Sequence, residues 1–240
     1  MVDFSGCKRI LLKISGEALM GAQKFGVDEN VCRQIAHGID ELRRSGKEVG
    51  IVVGGGNIFR GVKGSALGMA RSTADSVGML ATMINGIMLK TAIEKAGSEC
   101  LVMSAIECPK VVEPFVCEKA VSHLKEGRVV VFVGGTGNPF FTTDTAAALR
   151  ASEIEADIFL KATKVDGVYN KDPKKHSDAI KYDTLSYSQA LAEKLQVMDL
   201  TAITLCMENK IPIFVFKIFS EIGIVDMLSN PKHGTIVGGE

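Results

Sequence analysis

The sequence predicts an α/β fold built on a mostly parallel sheet with helices on both faces. Three observations predict it. Short apolar runs alternate along the 240 residues with segments of helical periodicity. The runs are apolar throughout, as strands buried on both faces are, rather than alternating with polar residues. Two of them empty directly into glycine loops, at Gly54 and Gly134.

The elements follow in order. Arg9–Ile14 is the first strand, and a polar loop runs from Ser15 to Gly26. Asp28 caps a helix whose apolar face is Val31, Ile35, Ile39 and Leu42, and Gly46 ends it. Val49–Val53 is the second strand and leads into Gly54-Gly55-Gly56-Asn57. A long helix covers Ser72–Ala96, where Val77, Leu80, Ile84, Met88 and Ile93 recur near helical spacing, and Gly97 stops it. Leu101–Met103 is a strand, and Cys117–Leu124 a helix leading to the strand Val129–Val133. Gly134-Gly135-Thr136-Gly137-Asn138 follows, with a helix starting at Thr143 or Asp144 and a strand at Asp157–Lys161. Asn170–Asp183 is polar and reads as a surface loop. Helices near Tyr187–Leu195 and Thr201–Asn209 and strands Ile213–Phe216 and Thr235–Val237 close the chain. No linker or composition break interrupts the alternation, so residues 1–240 are expected to form one domain.

Composition narrows the function. Apolar residues make up 46 % and charged residues 23 %, and the 28 basic residues balance the 28 acidic ones. A chain of zero net charge lacks the basic footprint of a nucleic-acid or anionic-membrane binder. No run approaches the ~18 uninterrupted apolar residues of a membrane span. The strand at Ile10 leaves no room for a signal peptide, so a cytoplasmic location is expected. The six cysteines include no C-x-x-C pair, which argues against a zinc site or a disulfide framework.

Four segments carry chemistry. Ligands of open α/β sheets bind where strands end, and glycine there lets backbone N–H groups approach phosphate oxygens. Gly54–Gly56 reads equally as such a cradle or as a tight strand-to-helix turn. Neither glycine loop completes G-x-x-x-x-G-K-[ST] or G-x-G-x-x-G, which disfavours a P-loop or a Rossmann site. Lys13 ends a buried strand before Ser15-Gly16, where it can meet a phosphate or simply snorkel, and Arg60 adds a second cation. Fixed cations offset the repulsion between two phosphorylated substrates. The run Gly135–Asp144 packs glycines, two aromatics, two hydroxyls and a carboxylate together: Thr142 and Thr143 to donate to a phosphate, Phe140 and Phe141 to wall a base, Asp144 to orient Lys13 or a Mg²⁺ water. The bland alternative is an N-cap beside core phenylalanines. Lys161–Tyr169, with Asp172-Pro173 beyond, is a hairpin turning at Asp166-Gly167 or the edge of a base or ribose site.

These residues resemble those of the bacterial UMP kinases of the amino-acid kinase superfamily nearly end to end. The matching segments are Arg9–Leu19, Gly54–Gly61, Gly78–Gly86, Gly135–Asp144, Glu153–Asp157, Leu160–Val168 and Val197–Leu200. The resemblance implies a three-layer αβα sandwich with a mainly parallel central sheet, ATP and Mg²⁺ as donor and cofactor, UMP as acceptor, and a homohexamer. It implies an ATP site at Lys13, Ile14, Ser15, Gly16, Gly56, Arg60, Thr163, Tyr169 and Asp172. It implies a UMP site at Gly55, Asp75, Thr136, Gly137, Asn138, Pro139, Phe140, Phe141, Thr142 and Thr143, with Asp75 accepting from the nucleoside. Lys13, Arg60, Asp144 and Asp199 would be catalytic, with Mg²⁺ carried by ATP near Asp144 and no direct protein ligand. Rival readings are a same-fold kinase with a carboxylate or carbamate acceptor, and a non-catalytic nucleotide sensor. Neither needs the whole set of Lys13, Arg60, Asp75 and Asp144. Where family members bind an activating GTP through basic side chains, this chain carries Lys90, Glu94 and Leu101, so GTP activation is not expected. Ile106–Phe115 also departs from the family pattern.

Overall fold

The computed structural model describes residue 4 and residues 6–60, 68–195, 197–219 and 223–239. Gly61 of the matching segment Gly54–Gly61 lies outside the described residues. The strands are β1 (Arg9–Ile14), β2 (Glu48–Val53), β3 (Cys100–Ser104), β4 (Glu113–Pro114), β5 (Val129–Val133), β6 (Ile158–Thr163), β7 (Val168–Tyr169), β8 (Lys181–Tyr182), β9 (Thr184–Leu185), β10 (Ile213–Lys217) and β11 (Gly234–Val237). The α-helices are α1 (Glu29–Arg44), α2 (Arg71–Ala96), α3 (Cys117–Lys125), α4 (Thr143–Glu153), α5 (Tyr187–Ala192), α6 (Leu200–Glu208) and α7 (Ile224–Ser229).

Nine strands form one sheet in the order β4-β3-β5-β2-β1-β6-β10-β11-β9, and only the β10–β11 pairing is antiparallel. β1 lies in the middle. The chain goes to one side of it for β2, β3 and β5, then crosses to the other for β6 and β10. The C-terminal end of β1 is therefore the point where the strand order switches, the place where such sheets hold ligands.

Alternation along β1 divides the core into two layers. Ile10, Leu12 and Ile14 pack with Ile35 and Ile39 of α1, Leu89 of α2 and Met227 of α7. Leu11 packs on the opposite face, with Leu124 of α3, Ala147 and Ala151 of α4 and Ile203 of α6. This is the three-layer αβα arrangement. Small residues on α4 let it lie close to the sheet. Asp28 accepts from the amides of Asn30 and Val31, which fixes the start of α1 as its residue type predicts.

Three expectations are corrected. In α2, Leu80, Ile84 and Met88, at helical spacing, are about half exposed rather than buried. The buried face carries Ala74, Ala81, Thr82, Asn85, Gly86 and Leu89 instead. Close approach sets the pattern at its centre: a Cβ on Gly86 would stand 2.3 Å from Val133 Cγ1, so that position needs glycine, while Met83, Leu89 and Ile93 of the same helix are buried along with it. Length and composition alone would let α2 cross a membrane, but it packs along α1, β3 and β5. Second, no hairpin closes about Asp166-Gly167. Val168–Tyr169 pairs antiparallel with Lys181–Tyr182, across the intervening loop. Third, α4 starts at Thr143, as expected, but its cap is Thr142 and not Asp144: the Thr142 hydroxyl accepts from the amides of Asp144 and Thr145, so Asp144 sits inside the first turn. The short strands β4 and β9 and helix α7 had no clear sequence signal.

Candidate functional site

The site is built on the parallel register of β1 and β6. That register sets Lys13 directly beside Lys161. Two ammonium groups on adjacent buried strands repel each other unless a carboxylate stands between them. Asp144, on the first turn of α4, supplies it: Oδ1 lies 2.7 Å from Lys13 Nζ and Oδ2 2.7 Å from Lys161 Nζ. The three side chains are 10–15 % exposed. Burial pushes the Asp144 carboxyl up, but Lys13 and Lys161 outweigh it and hold it below the usual carboxylate range. Burial, only partly opposed by Asp144, pulls the Lys161 ammonium down.

The two contacts differ in kind. Lys161 donates to Oδ2 and also to the carbonyl of Val197, at 2.5 Å. Lys13 Nζ meets Oδ1 as an ion pair at 2.7 Å, and Oδ1 has no further hydrogen-bond partner among the described residues.

Asp199 is a scaffold carboxylate in this arrangement. Oδ1 accepts from Thr145 Oγ1 at 2.8 Å and from the amide of Ala202 at 2.9 Å, capping α6, and Oδ2 accepts from Thr142 Oγ1. It ties the start of α4 to the start of α6 and so holds Asp144 in place.

Two cavities are lined by residues that the sequence singled out. The first, of about 310 Å³, is lined by residues that include Gly55, Arg60, Asp75, Thr136, Phe141 and Thr143. Gly56 and Thr142 also line it. Phe140 and Phe141 are 58 % and 50 % exposed, so neither is a core residue. Phe140 has φ 75°, its amide donates to Asp75 Oδ2 at 2.8 Å, and the Arg71 guanidinium lies 5.1 Å from its ring centroid. Thr136 and Asn138 close a small turn, the Thr136 hydroxyl both donating to the Asn138 carbonyl and accepting from its amide. Gly137 and Pro139 lie in the same loop but do not line this cavity. Arg60 pairs with Glu17 and donates to the Gly56 carbonyl at 3.2 Å.

The second cavity, of about 470 Å³, is lined by residues that include Gly167, Tyr169, Asp172, Lys174, Lys194 and Leu195. Tyr169 donates to Asp166 Oδ1 at 2.7 Å, and that bond pushes its hydroxyl up to about 12. Asp172 Oδ1 accepts from the amide of Lys174 at 3.0 Å. Thr163 bonds Val165 at the mouth of β6. Gly16 follows Ile14 and Ser15 at the end of β1 and is pressed against the first glycine loop: a Cβ there would stand 2.6 Å from the Gly54 carbonyl. That contact favours close backbone packing over the bare-turn reading of Gly54–Gly56.

Lys13, Asp144 and Lys161 form one cluster, Gly55, Gly56, Arg60, Asp75 and Thr136 line the first cavity, and Tyr169 and Asp172 line the second. Sequence reasoning quoted Lys161 within a motif but gave it no role. Its signal was there, as a second lysine near the end of a strand that is otherwise apolar, but only the register makes it Lys13's neighbour.

A sequence model of the amino acid kinase family matches residues 8–217. The chain belongs to the amino acid kinase family. Among its relatives in that family is a uridylate kinase of Protochlamydia amoebophila, 57 % identical over 232 residues, covering 96 % of this chain and 92 % of that protein. Another is a uridylate kinase of Magnetococcus marinus, 53 % identical over 236 residues and 98 % of each chain. The UMP kinase of Ureaplasma parvum superposes with a TM-score of 0.92 at 40 % identity, over 97 % of this chain and 99 % of that one. The uridylate kinase of Archaeoglobus fulgidus gives 0.74 at 31 % identity, over 95 % and 99 %.

Proposed function

We propose that this protein is a UMP kinase, which moves the γ-phosphoryl group of ATP onto UMP to give ADP and UDP for pyrimidine nucleotide synthesis. The observation that carries this reading is the buried Lys13–Asp144–Lys161 cluster, in a family member whose relatives are uridylate kinases. UMP is assigned to the cavity beside Asp75 and the Thr136–Thr143 loop. ATP is assigned to the side of Thr163, Tyr169 and Asp172, with its phosphates reaching Lys13, Ser15, Gly16, Gly56 and Arg60.

A phosphate oxygen of UMP attacks the γ-phosphorus, the bond to the bridging oxygen breaks, and its electron pair leaves with ADP. The attacking oxygen is already ionised near neutral pH, so no general base is required. Lys13, Lys161 and Arg60 hold the two anions in line and offset charge on the transferring group. Asp144 positions both lysines, and Asp199 positions Asp144.

The donor set fits Mg²⁺ carried by the nucleotide. The buried Oδ1 of Asp144, paired by charge with Lys13, has a lone pair suited to accept from a metal-bound water. The ion, when bound, neutralises phosphate charge.

Residues 1–240 are proposed to act as one unit in the cytoplasm, as a homo-oligomer that the family resemblance makes a hexamer. The exposed Leu80, Ile84, Ile87 and Met88 on α2 support association. Ile84→Glu should lower the mass measured by sedimentation, and an unchanged mass would remove α2 from the interface.

The functional test is ADP release from ATP and Mg²⁺ with UMP, CMP, dTMP, N-acetylglutamate and aspartate offered separately. Turnover with UMP is expected. Turnover with an amino acid, or with nothing, overturns the reading.

A further inference from the structure

The segment Gly78–Gly86 of α2 touches neither lysine of the central cluster, yet it meets both glycine loops. On one side, Thr82 Oγ1 accepts from the amide of Gly134 at 2.8 Å while it donates to the Met79 carbonyl at 2.6 Å. On the other, Asn85 Nδ2 donates to the Gly54 carbonyl at 2.7 Å. Thr82 is 2 % exposed and Asn85 0 %. One turn of helix therefore carries a directed bond to each loop.

The Asn85 bond is itself locked. Asn85 Nδ2 donates to Asn57 Oδ1 at 2.7 Å, and Asn57 Nδ2 donates back to Asn85 Oδ1 at 3.0 Å. Asn57 Nδ2 also donates to the Gly26 carbonyl at 2.9 Å. Each amide thus has a carbonyl and the other amide as acceptors, which fixes the orientation of both. Buried polar networks of this kind are costly when partly satisfied and rigid when complete.

Steric fit holds the same face. A Cβ on Gly55 would stand 2.7 Å from the Gly78 carbonyl and 2.9 Å from Ala81 Cβ. The Gly86 contact with Val133 brings α2 against β5 just before the second loop. Loop one and loop two are thus pressed and bonded to a single rigid helix, three residues apart along it.

We infer that Thr82 and Asn85 are positioning residues that fix the separation of the two glycine loops, and with it the alignment of acceptor and donor phosphates. This rests on the proposed kinase reading, in which loop one meets both phosphates and loop two the acceptor. Thr82 also lines the cavity assigned to UMP, but its hydroxyl is already engaged with the Gly134 amide and the Met79 carbonyl.

Thr82→Val keeps the side chain's size and removes the oxygen that Gly134 bonds, and Thr82→Ser keeps that oxygen. Amide exchange at Gly134 should quicken roughly five- to tenfold in Thr82→Val, what one buried hydrogen bond is worth. The amides of Val130 and Val131 should keep their protection. With the acceptor that the wild type uses, kcat should fall on the order of 100-fold, the scale of an ångström-sized misalignment. Thr82→Ser should recover most of it, and KM for ATP should stay near its wild-type value. Asn85→Asp, which keeps shape but loses both donors, should also lower kcat, and the double variant should lose less than the two losses multiplied.

An unchanged kcat in Thr82→Val overturns the inference. So does a loss that follows faster exchange throughout β5, or one that Thr82→Ser fails to recover. If the wild type turns over none of the offered acceptors, the kinase reading falls. The exchange at Gly134 still decides whether the tether exists.

Discussion

Replacing Asp144 with Asn tests the centre of the site. The asparagine keeps the shape but leaves Lys13 and Lys161, each 2.7 Å from the carboxylate, facing one another without a counter-charge. Breaking a buried ion pair from one side costs about 3–5 kcal/mol. In a chain of this length 1 kcal/mol moves Tm by about 2–4 °C, so Tm should fall by roughly 6–20 °C. The assay is thermal unfolding at pH 7, with and without ATP. ATP should raise the Tm of the variant more than that of the wild type, because phosphates replace the missing charge on the two lysines. Turnover should fall steeply at temperatures where the variant is folded, since the lysines lose the group that aims them. A Tm equal to the wild type's refutes the buried bridge, and an ATP effect no larger than the wild type's refutes lysines poised for phosphate.

Three further predictions share this logic. Because the folded-state pKa of Asp144 is lowered, its stabilisation is fully present above the ordinary value of 3.8 and is lost as pH falls through the depressed one. The Tm gap between wild type and Asp144→Asn should therefore close in acid, and a gap constant from pH 7 down to pH 2 would refute the charge argument. Arg60→Ala should lower kcat far more than Tm, because the side chain is 51 % exposed and pairs only at the surface with Glu17; a variant with wild-type turnover would remove Arg60 from the mechanism. GTP should not raise activity: Lys90 Nζ lies 3.5 Å from Glu94 Oε1, and Leu101 brings no charge, so a several-fold rise on titration would show another anion site.

Much of the fold was legible because buried strands and capped helices carry local signals. Arg9–Ile14 is recovered to the residue, and Asp28 caps α1 as its type predicts. The signal failed where neighbours decide. The stripe Leu80, Ile84 and Met88 has helical spacing, yet spacing cannot tell which side of a helix faces the sheet. The close approach of α2 to β5 at Gly86 decided that, since a Cβ there would meet Val133. The two-residue strands are too short for any period, and Val168–Tyr169 finds its partner only across a loop.

The site divides in the same way. Residue type alone marked Lys13, Arg60, Asp144 and the two glycine loops, because phosphate chemistry demands cations, a carboxylate and bare backbone at strand ends. Residue type could not reveal that Lys161 stands beside Lys13, that Asp199 is spent on bonding Thr142, Thr145 and a helix cap, or that Thr82 and Asn85 each hold a loop. Those facts depend on strand register and on contacts between residues far apart in the chain. The sequence determined which groups are available for phosphoryl transfer; the tertiary structure decided which of them face each other, because charge and hydrogen bonding act over a few ångströms of space and not along the chain.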